Sequence, residues 1–351
     1  MQSKFRLLVV RLGAMGDILH ALPAITALRQ AHPDWQIDWV VEPRWQALLA
    51  VPGTTERGPQ MPVVNHLHFA PTKDWRKGPL SRKTIGAVSG LRGQLKSAGY
   101  DAVIDVQGAV RSSVIARMAG SSRVIGEASP REHAACLLFS EHVVTHGAHV
   151  IEQDIELASA IAGDPLQWVP PMLPVDPVAE AWCDALLASS GTRPFALINP
   201  GAGWGAKCWP VDRYAEVARG LILRGYRVLV NAGPREEVMA DTIVKGTIGN
   251  SIPLSTTVEQ LIAVTRRAAL CIAGDTGPLH LACALGRPVV GIFGPTDPSR
   301  NGPFGTRFRV LRSPTSKRDH KRRPEPEAGL LTIQPEDVLR ATDELLAEEK
   351  A

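Results

Sequence analysis

Four short runs in this chain place residues that can move a proton or hold an anion beside glycines that free the backbone around them. Leu12-Gly13-Ala14-Met15-Gly16-Asp17 puts a carboxylate at the opening of a helical pattern. Asp105-Val106-Gln107-Gly108, with Arg111 close behind, puts an acid, an amide and a cation at the end of an apolar run. Pro200 to Pro210 is a glycine-rich loop whose one cation is Lys207, and Gly274-Asp275-Thr276-Gly277-Pro278 leads at once to His280. An ammonium in a glycine-rich turn, or a helix opening on Gly-Pro, suits a phosphate: unpaired N–H groups and the positive end of the helix dipole point at one place. A carboxylate in a first helical turn can act as a base, yet it is also a common complement to the dipole, worth roughly 0.3–1 kcal/mol. Asp275 and Thr276 likewise suit either an anion site or a plain helix cap. Residue type alone leaves both readings open.

Position narrows the choice, because each run follows a strand-like segment and precedes a helix-like one. The patterning predicts strands over Phe5–Arg11, Ile37–Val41, Val63–Phe69 and Ala102–Val106, then Phe195–Asn199, Arg227–Asn231, Leu270–Ala273 and Pro288–Phe293. Helical spacing recurs over Ile18–Leu28, where Pro23 predicts a kink or a shortened helix, and over Trp45–Ala50, Ile85–Ser97 and Val150–Ala162. In the second half it recurs over Val178–Ala188, up to Leu223, and over Val258–Arg267, Leu279–Leu285 and Pro335–Glu348. The proline-rich stretch from Gly163 to Pro177 reads as a linker. The expectation is two doubly wound parallel α/β domains, 1–172 and 173–334, with the helix 335–348 packing back on the first. The turn from Gly233 to Glu237 joins the other loops at strand ends, where open parallel sheets bind ligands, and the basic run Lys317 to Pro326 is expected to be a surface loop.

Composition excludes several classes. At 351 residues the chain exceeds the ~250–300 at which single cores stop growing. Its 44% hydrophobic and 21% charged residues describe a globular protein, and a net charge of +4 is too small to argue for nucleic acid. Five cysteines with no C-x-x-C pair read as free thiols in a reducing compartment. The apolar run at the N-terminus is cut by Arg11, and nothing approaches the ~20 apolar residues of a membrane span. A cytoplasmic protein with at most a peripheral hold on a membrane is expected. Neither the G-x-G-x-x-G of a dinucleotide site nor the P-loop spacing is present.

Taken together, Gly13-Ala14-Met15-Gly16-Asp17-Ile18-Leu19-His20, Asp101 to Gly108, Lys207-Cys208-Trp209-Pro210, Asp275-Thr276-Gly277-Pro278-Leu279-His280 and Phe293-Gly294-Pro295-Thr296-Asp297-Pro298 resemble the ADP-heptose:lipopolysaccharide heptosyltransferases, glycosyltransferase family nine. The likeness runs from Phe5 to about Gly305 and is nearest to the heptosyltransferase I branch. It implies a GT-B fold, two Rossmann-like domains facing across a cleft that closes to exclude water. It puts the catalytic base on Asp17 and the donor-phosphate lysine on Lys207. Further donor contacts fall on Asp275, Thr276, Gly277, Pro278 and His280, with Gly203 in the loop and Glu236 on the ribose. Acceptor contacts fall on Arg11, Arg76, Lys77, Gln107 and Arg131. This sequence departs from some members at Ala202-Gly203, which replace hydroxyl residues and leave the diphosphate to backbone amides.

The implied reaction is an inverting transfer of heptose from ADP-heptose to a Kdo sugar of a lipid A acceptor, with no cofactor. No D-x-D pair is present to hold a divalent ion on the diphosphate, so metal-independent transfer is expected. The alternatives are transfer to a core heptose or another glycan, a nucleotide-sugar epimerase of similar build, and a two-lobed solute-binding protein.

Overall fold

The computed structural model describes residues 4–188, 193–233, 236–319, 321 and 323–348. The chain divides into two compact units, Met1–Val175 and Asp176–Ala351. In the first, β1 (Arg6–Val10), α1 (Met15–Ala31), β2 (Gln36–Val41), β3 (His66–Phe69), α2 (Thr72–Trp75) and α3 (Arg82–Ala98) are followed by β4 (Ala102–Asp105) and α4 (Val110–Met118). Then come β5 (Val124–Glu127), β6 (Glu141–Val143) and α5 (Val150–Ala162). The second holds α6 (Pro177–Ala188), β7 (Phe195–Asn199), α7 (Val211–Leu223), β8 (Arg227–Ala232), α8 (Glu237–Gly246), β9 (Ser251–Ser255) and α9 (Val258–Arg267). It continues with β10 (Leu270–Gly274), α10 (Gly277–Ala284), β11 (Val289–Phe293), α11 (Pro298–Asn301), β12 (Phe308–Arg312) and α12 (Pro335–Ala347).

Among the described residues each unit has one six-stranded sheet, and every pairing between its named strands is parallel. The orders are β3-β2-β1-β4-β5-β6 and β9-β8-β7-β10-β11-β12. Both repeat the same doubly wound pattern, in which the order reverses between the first and fourth strands and a crevice opens at their C-terminal ends. In the first sheet that crevice lies between β1 and β4, where Val10 pairs Asp105. In the second it lies between β7 and β10, where Asn199 pairs Ala273. All four chemistry-bearing runs leave from these four strands.

The strands are apolar because both faces are covered: Leu7 to Val10 and Leu270 to Ala273 are buried throughout. Four expectations change. Pro23 lies inside α1, which continues to Ala31, so the proline does not shorten the helix. The helix expected at Trp45–Ala50 is a 3-10 turn, Pro43–Leu48. The proline-rich stretch contains the division between the units, as a linker would, but it is packed rather than extended, with Leu173 buried and the Val175 N–H donating to the Pro59 carbonyl at 2.9 Å. The last helix packs on its own unit. Val338, Ala341 and Leu345 of α12 enter the core of Trp209, Tyr214 and Val217, and Leu339 presses on Gly220 of α7, where a Cβ would collide with it. The Arg224 guanidinium also holds the Asp343 carboxylate by two hydrogen bonds of 2.7 Å. The stripe at i, i+3 and i+7 required a partner, and α7 supplies one with a glycine at the crossing.

Candidate active site

The first unit gathers its polar groups around the β1 and β4 ends. Asp17 is the third residue of α1; its Oδ2 accepts the Ala14 N–H at 2.9 Å, and its Oδ1 lies 3.3 Å from Nη2 of Arg11. The Asp17 side chain is 36% exposed while that of Arg11 is only 8% exposed, so the acid looks outward from a cation that does not. Arg11 is held on both sides, since its Nη1 donates to the Val106 carbonyl and its own carbonyl accepts the Trp39 indole N–H at 2.9 Å. The turn before Asp17 needs glycine: Gly13 has φ +147°, and a Cβ there would lie 2.6 Å from Nε1 of Trp45.

The β4 end is organised by Asp105. This buried carboxylate accepts the N–H groups of Gln107 and Gly108 and the hydroxyls of Ser112 and Ser113 at 2.9–3.1 Å. Burial pushes its carboxyl above the ordinary range against the pull of those four donors. The result is a fixed turn from which the Gln107 side chain accepts the Leu12 N–H at 2.8 Å, tying the β4 end to the β1 end. Gly108, at φ +61°, leaves room for the Arg131 backbone, so Arg131 joins this edge with its side chain exposed. Arg76 and Lys77 lie beyond α2, after β3, and are exposed; Lys77 is paired with Asp74 at 2.7 Å.

In the second unit Lys207 ends a 3-10 turn, Gly205–Lys207. Its ammonium donates to the Asp275 carboxylate and, at 3.3 Å, to the Asp275 carbonyl, and it lies 4.4 Å from the centre of the Trp204 ring. Nε2 of His280 lies 3.3 Å from the other carboxylate oxygen, and because a carboxylate only accepts, the imidazole donates. Burial works to raise the Asp275 carboxyl, but the hydrogen bond and charge of His280 and the ammonium of Lys207 outweigh it and hold it well below the carboxylate range. Thr276 is the N-cap of α10, yet its hydroxyl turns back to the Gly274 carbonyl at 3.2 Å, and Pro278 brings no N–H to the first turn. With no side-chain cap, the Gly277 N–H opens the helix after β10, where no intrahelical carbonyl reaches it.

Glu236 completes this edge. Its carboxylate accepts the Gly233 N–H at 2.9 Å and lies against Gly201, which has no space for a Cβ. Gly203 is exposed with open space around it. Pro234 and Arg235 of the Gly233–Glu237 turn lie outside the described residues, as do His320 and Arg322 of the basic run. Two features escaped the sequence. Trp204 stacks under the lysine, and a polar ladder runs from Asn199 to Asn231 (3.0 Å) to Thr256 (2.7 Å) along the ends of β7 and β8. The signal for the ladder was present, since β7 and β8 read Leu-Ile-Asn and Leu-Val-Asn at corresponding places.

Comparison with known proteins gives this geometry a family. Residues 88–330 match glycosyltransferase family 9 (heptosyltransferase). The chain belongs to that family. It is 30% identical over 314 residues to lipopolysaccharide heptosyltransferase 1 of Escherichia coli K12, covering 88% of this chain and 94% of that one. The solved structure of E. coli heptosyltransferase WaaC with ADP is 27% identical, covers 97% of this chain and 100% of its own, and superposes with a TM-score of 0.79. The same enzyme with ADP-2-deoxy-2-fluoro heptose gives 27% and 0.74, over 99% and 100% of the two chains. As a family 9 glycosyltransferase the chain is an enzyme of the GT-B fold. Among its described residues no helix is long and apolar enough to cross a membrane, and no group of three or more His, Cys, Asp or Glu is arranged to hold a metal ion.

Proposed function

We propose that this family 9 chain transfers a heptose from ADP-heptose to a Kdo sugar of a lipopolysaccharide inner-core acceptor, with inversion at the anomeric carbon. The observation that carries the reading is the division of chemistry between two equivalent crevices. One presents a carboxylate backed by a buried guanidinium, the other an ammonium beside a helix N-terminus. The first set suits a hydroxyl that must lose a proton, the second a diphosphate that must gain charge.

In this reaction the acceptor oxygen attacks C1 of the heptose while the C1–O bond to the β-phosphate breaks, and that electron pair leaves with ADP. Asp17 takes the hydroxyl proton. Lys207 and the Gly277 N–H offset the charge that grows on the departing diphosphate, and Glu236 engages the ribose. Donor binding exchanges one partner of Lys207 for another: the ammonium shifts from Asp275 toward phosphate, and His280 keeps Asp275 ionised and in place. Arg76, Lys77, Arg131 and the neutral Gln107 are the acceptor-facing groups, and the charge of the three basic residues suits an acidic sugar. No step is routed through a metal ion. The lipid-linked acceptor places the protein at the cytoplasmic face of a membrane as a peripheral partner.

Incubation with ADP-heptose and a de-heptosylated Kdo–lipid A tests this reading. Stoichiometric ADP release with a heptosylated product supports it. Turnover on a core-heptose acceptor alone moves the acceptor assignment, and consumption of donor without an acceptor favours an epimerase.

A further inference from the structure

The chain between β12 and α12 does not run straight back to the core. Its described residues cross the C-terminal edge of the second sheet, where the Asp319 N–H donates to the Pro295 carbonyl at 3.0 Å, and from Arg323 on they meet the lysine turn. The Ala206 N–H donates to the Arg323 carbonyl at 3.0 Å, and the Glu327 N–H donates to the Ala206 carbonyl at 3.2 Å. The residue before Lys207 is thus gripped by both of its backbone groups. Gly205 lies flat against the Pro324 carbonyl, leaving no room for a Cβ.

One side chain closes this strap. Oε2 of Glu327 accepts the Ser316 hydroxyl at 2.8 Å and the Leu330 N–H at 2.9 Å, joining its two ends. Both ends are themselves fixed: Leu330 is buried in the core that contains Trp209, and Nη2 of Arg312 donates to the Ser316 carbonyl at 2.8 Å. The loop that the strap grips has glycine at 201, 203 and 205, so by itself it loses much conformational freedom on ordering.

We propose that Glu327 is a positioning residue for donor binding: it locks the Ser316–Leu330 strap, and the strap fixes the Gly205-Ala206 backbone that aims Lys207. The proposal rests on Lys207 being the donor-phosphate group. It assigns the strap to the donor site, although the sequence marks the strap only as a basic surface loop.

A double-mutant cycle on the full chain tests it, with ADP affinity read by calorimetry and donor KM and kcat by transfer assay. Glu327→Ala is expected to weaken ADP binding about tenfold, the scale of one charged hydrogen-bond anchor. Glu327→Gln, which keeps an acceptor oxygen, is expected to recover most of that. The decisive measurement is Glu327→Ala in a Lys207→Met background, where the further loss should fall below about twofold because the two residues act through one ammonium. Independent, additive losses overturn the proposal, and so does unchanged affinity in Glu327→Ala. If Glu327→Ala does not fold, Ser316→Ala, which removes one of the two groups that Glu327 holds, takes its place in the cycle, with a smaller single loss and the same non-additivity expected. A wild-type chain that binds no ADP sinks the donor-site reading and the strap together, whereas ADP binding with additive losses sinks the strap alone.

Discussion

Arg11 and Asp17 form an ion pair, Nη2 to Oδ1 at 3.3 Å, in which the cation is buried and the acid is not. The arrangement gives the carboxylate a fixed direction without removing it from a substrate. It also commits Arg11, expected to face the acceptor, to the interior, because its Nη1 is on the Val106 carbonyl. Asp17→Ala is expected to lower kcat by about 10³–10⁴, the upper range for a lost general base, with ADP affinity kept. Arg11→Ala should lower kcat by a smaller factor, on the order of 10², because the Ala14 N–H still holds the other oxygen. Steady-state kinetics with donor and acceptor varied separately distinguish the two roles. A rise in acceptor KM at unchanged kcat in Arg11→Ala would return Arg11 to the acceptor.

Much of the fold was legible because parallel strands buried on both faces read as continuous apolar runs, as Leu7–Val10 and Leu270–Ala273 do. The edge strand β6 was not, since Glu141-His142-Val143 is short, polar and partly exposed. Strand β9 was hidden by Pro253, which argues against a strand until the sheet shows it at an edge. The candidate residues Asp17, Lys207 and Asp275 were legible from glycine turns at strand ends. Their partners were not, because Trp204 beneath Lys207 and the inward turn of Arg11 depend on side-chain directions that sequence spacing does not encode. The placement of α12 depends in the same way on Gly220, whose significance appears only when Leu339 lies on it.

Asp275 carries a pH prediction whose sign is fixed. Its carboxyl is held below the range of an unfolded chain, near ~3.9, so the folded state keeps it ionised where the unfolded state takes up a proton. The stabilisation is complete above about pH 4 and is lost as pH falls below that toward the depressed folded value. Asp275→Asn should therefore flatten the acid limb of the stability curve, measured by denaturant midpoints from pH 5 down to 2.5, values set around that ~3.9 reference. It should also leave Lys207 less restrained. An unchanged acid limb would mean that other carboxylates set it.

Arg76 and Lys77 are neighbours with different obligations. Lys77 is paired with Asp74 at 2.7 Å on an exposed turn, and no ion pair to Arg76 is found among the described residues. An exposed pair of this kind is worth little to stability, but the Asp74 carboxylate offsets part of the charge that Lys77 offers a partner. Arg76→Ala is expected to raise the acceptor KM by about tenfold or less and Lys77→Ala by a smaller factor, both effects shrinking in high salt. Asp74→Ala should lower the acceptor KM by freeing Lys77. Equal effects of the two basic substitutions would show that the turn rearranges when acceptor binds.

His68 is set to make the first unit acid-sensitive near neutrality. The Tyr100 hydroxyl has one proton, which it donates to Oδ2 of Asp38 at 2.7 Å, so the His68 Nε2–H must donate to the tyrosine oxygen, also at 2.7 Å. Burial and Asp38 push the Tyr100 hydroxyl up, and it keeps that proton. Nδ1 of His68 is then the buried nitrogen left to take up a proton. Protonating it places charge in a buried site; burial and the neighbouring His66 lower its pKa from 6.5, and the charge of Asp38 and a hydrogen bond with Gln94 pull the other way without prevailing. An unfolded chain takes up this proton as pH falls through about 6.5 while the folded chain resists. Stability is thus full above that pH and declines on acidification toward the lowered folded value. His68→Gln keeps a donor for Tyr100 and cannot titrate. Denaturant midpoints compared at pH 7.5 and 5.5, chosen to bracket the ~6.5 reference, should fall less for the variant than for the wild type. Parallel falls would assign the acid sensitivity to other groups.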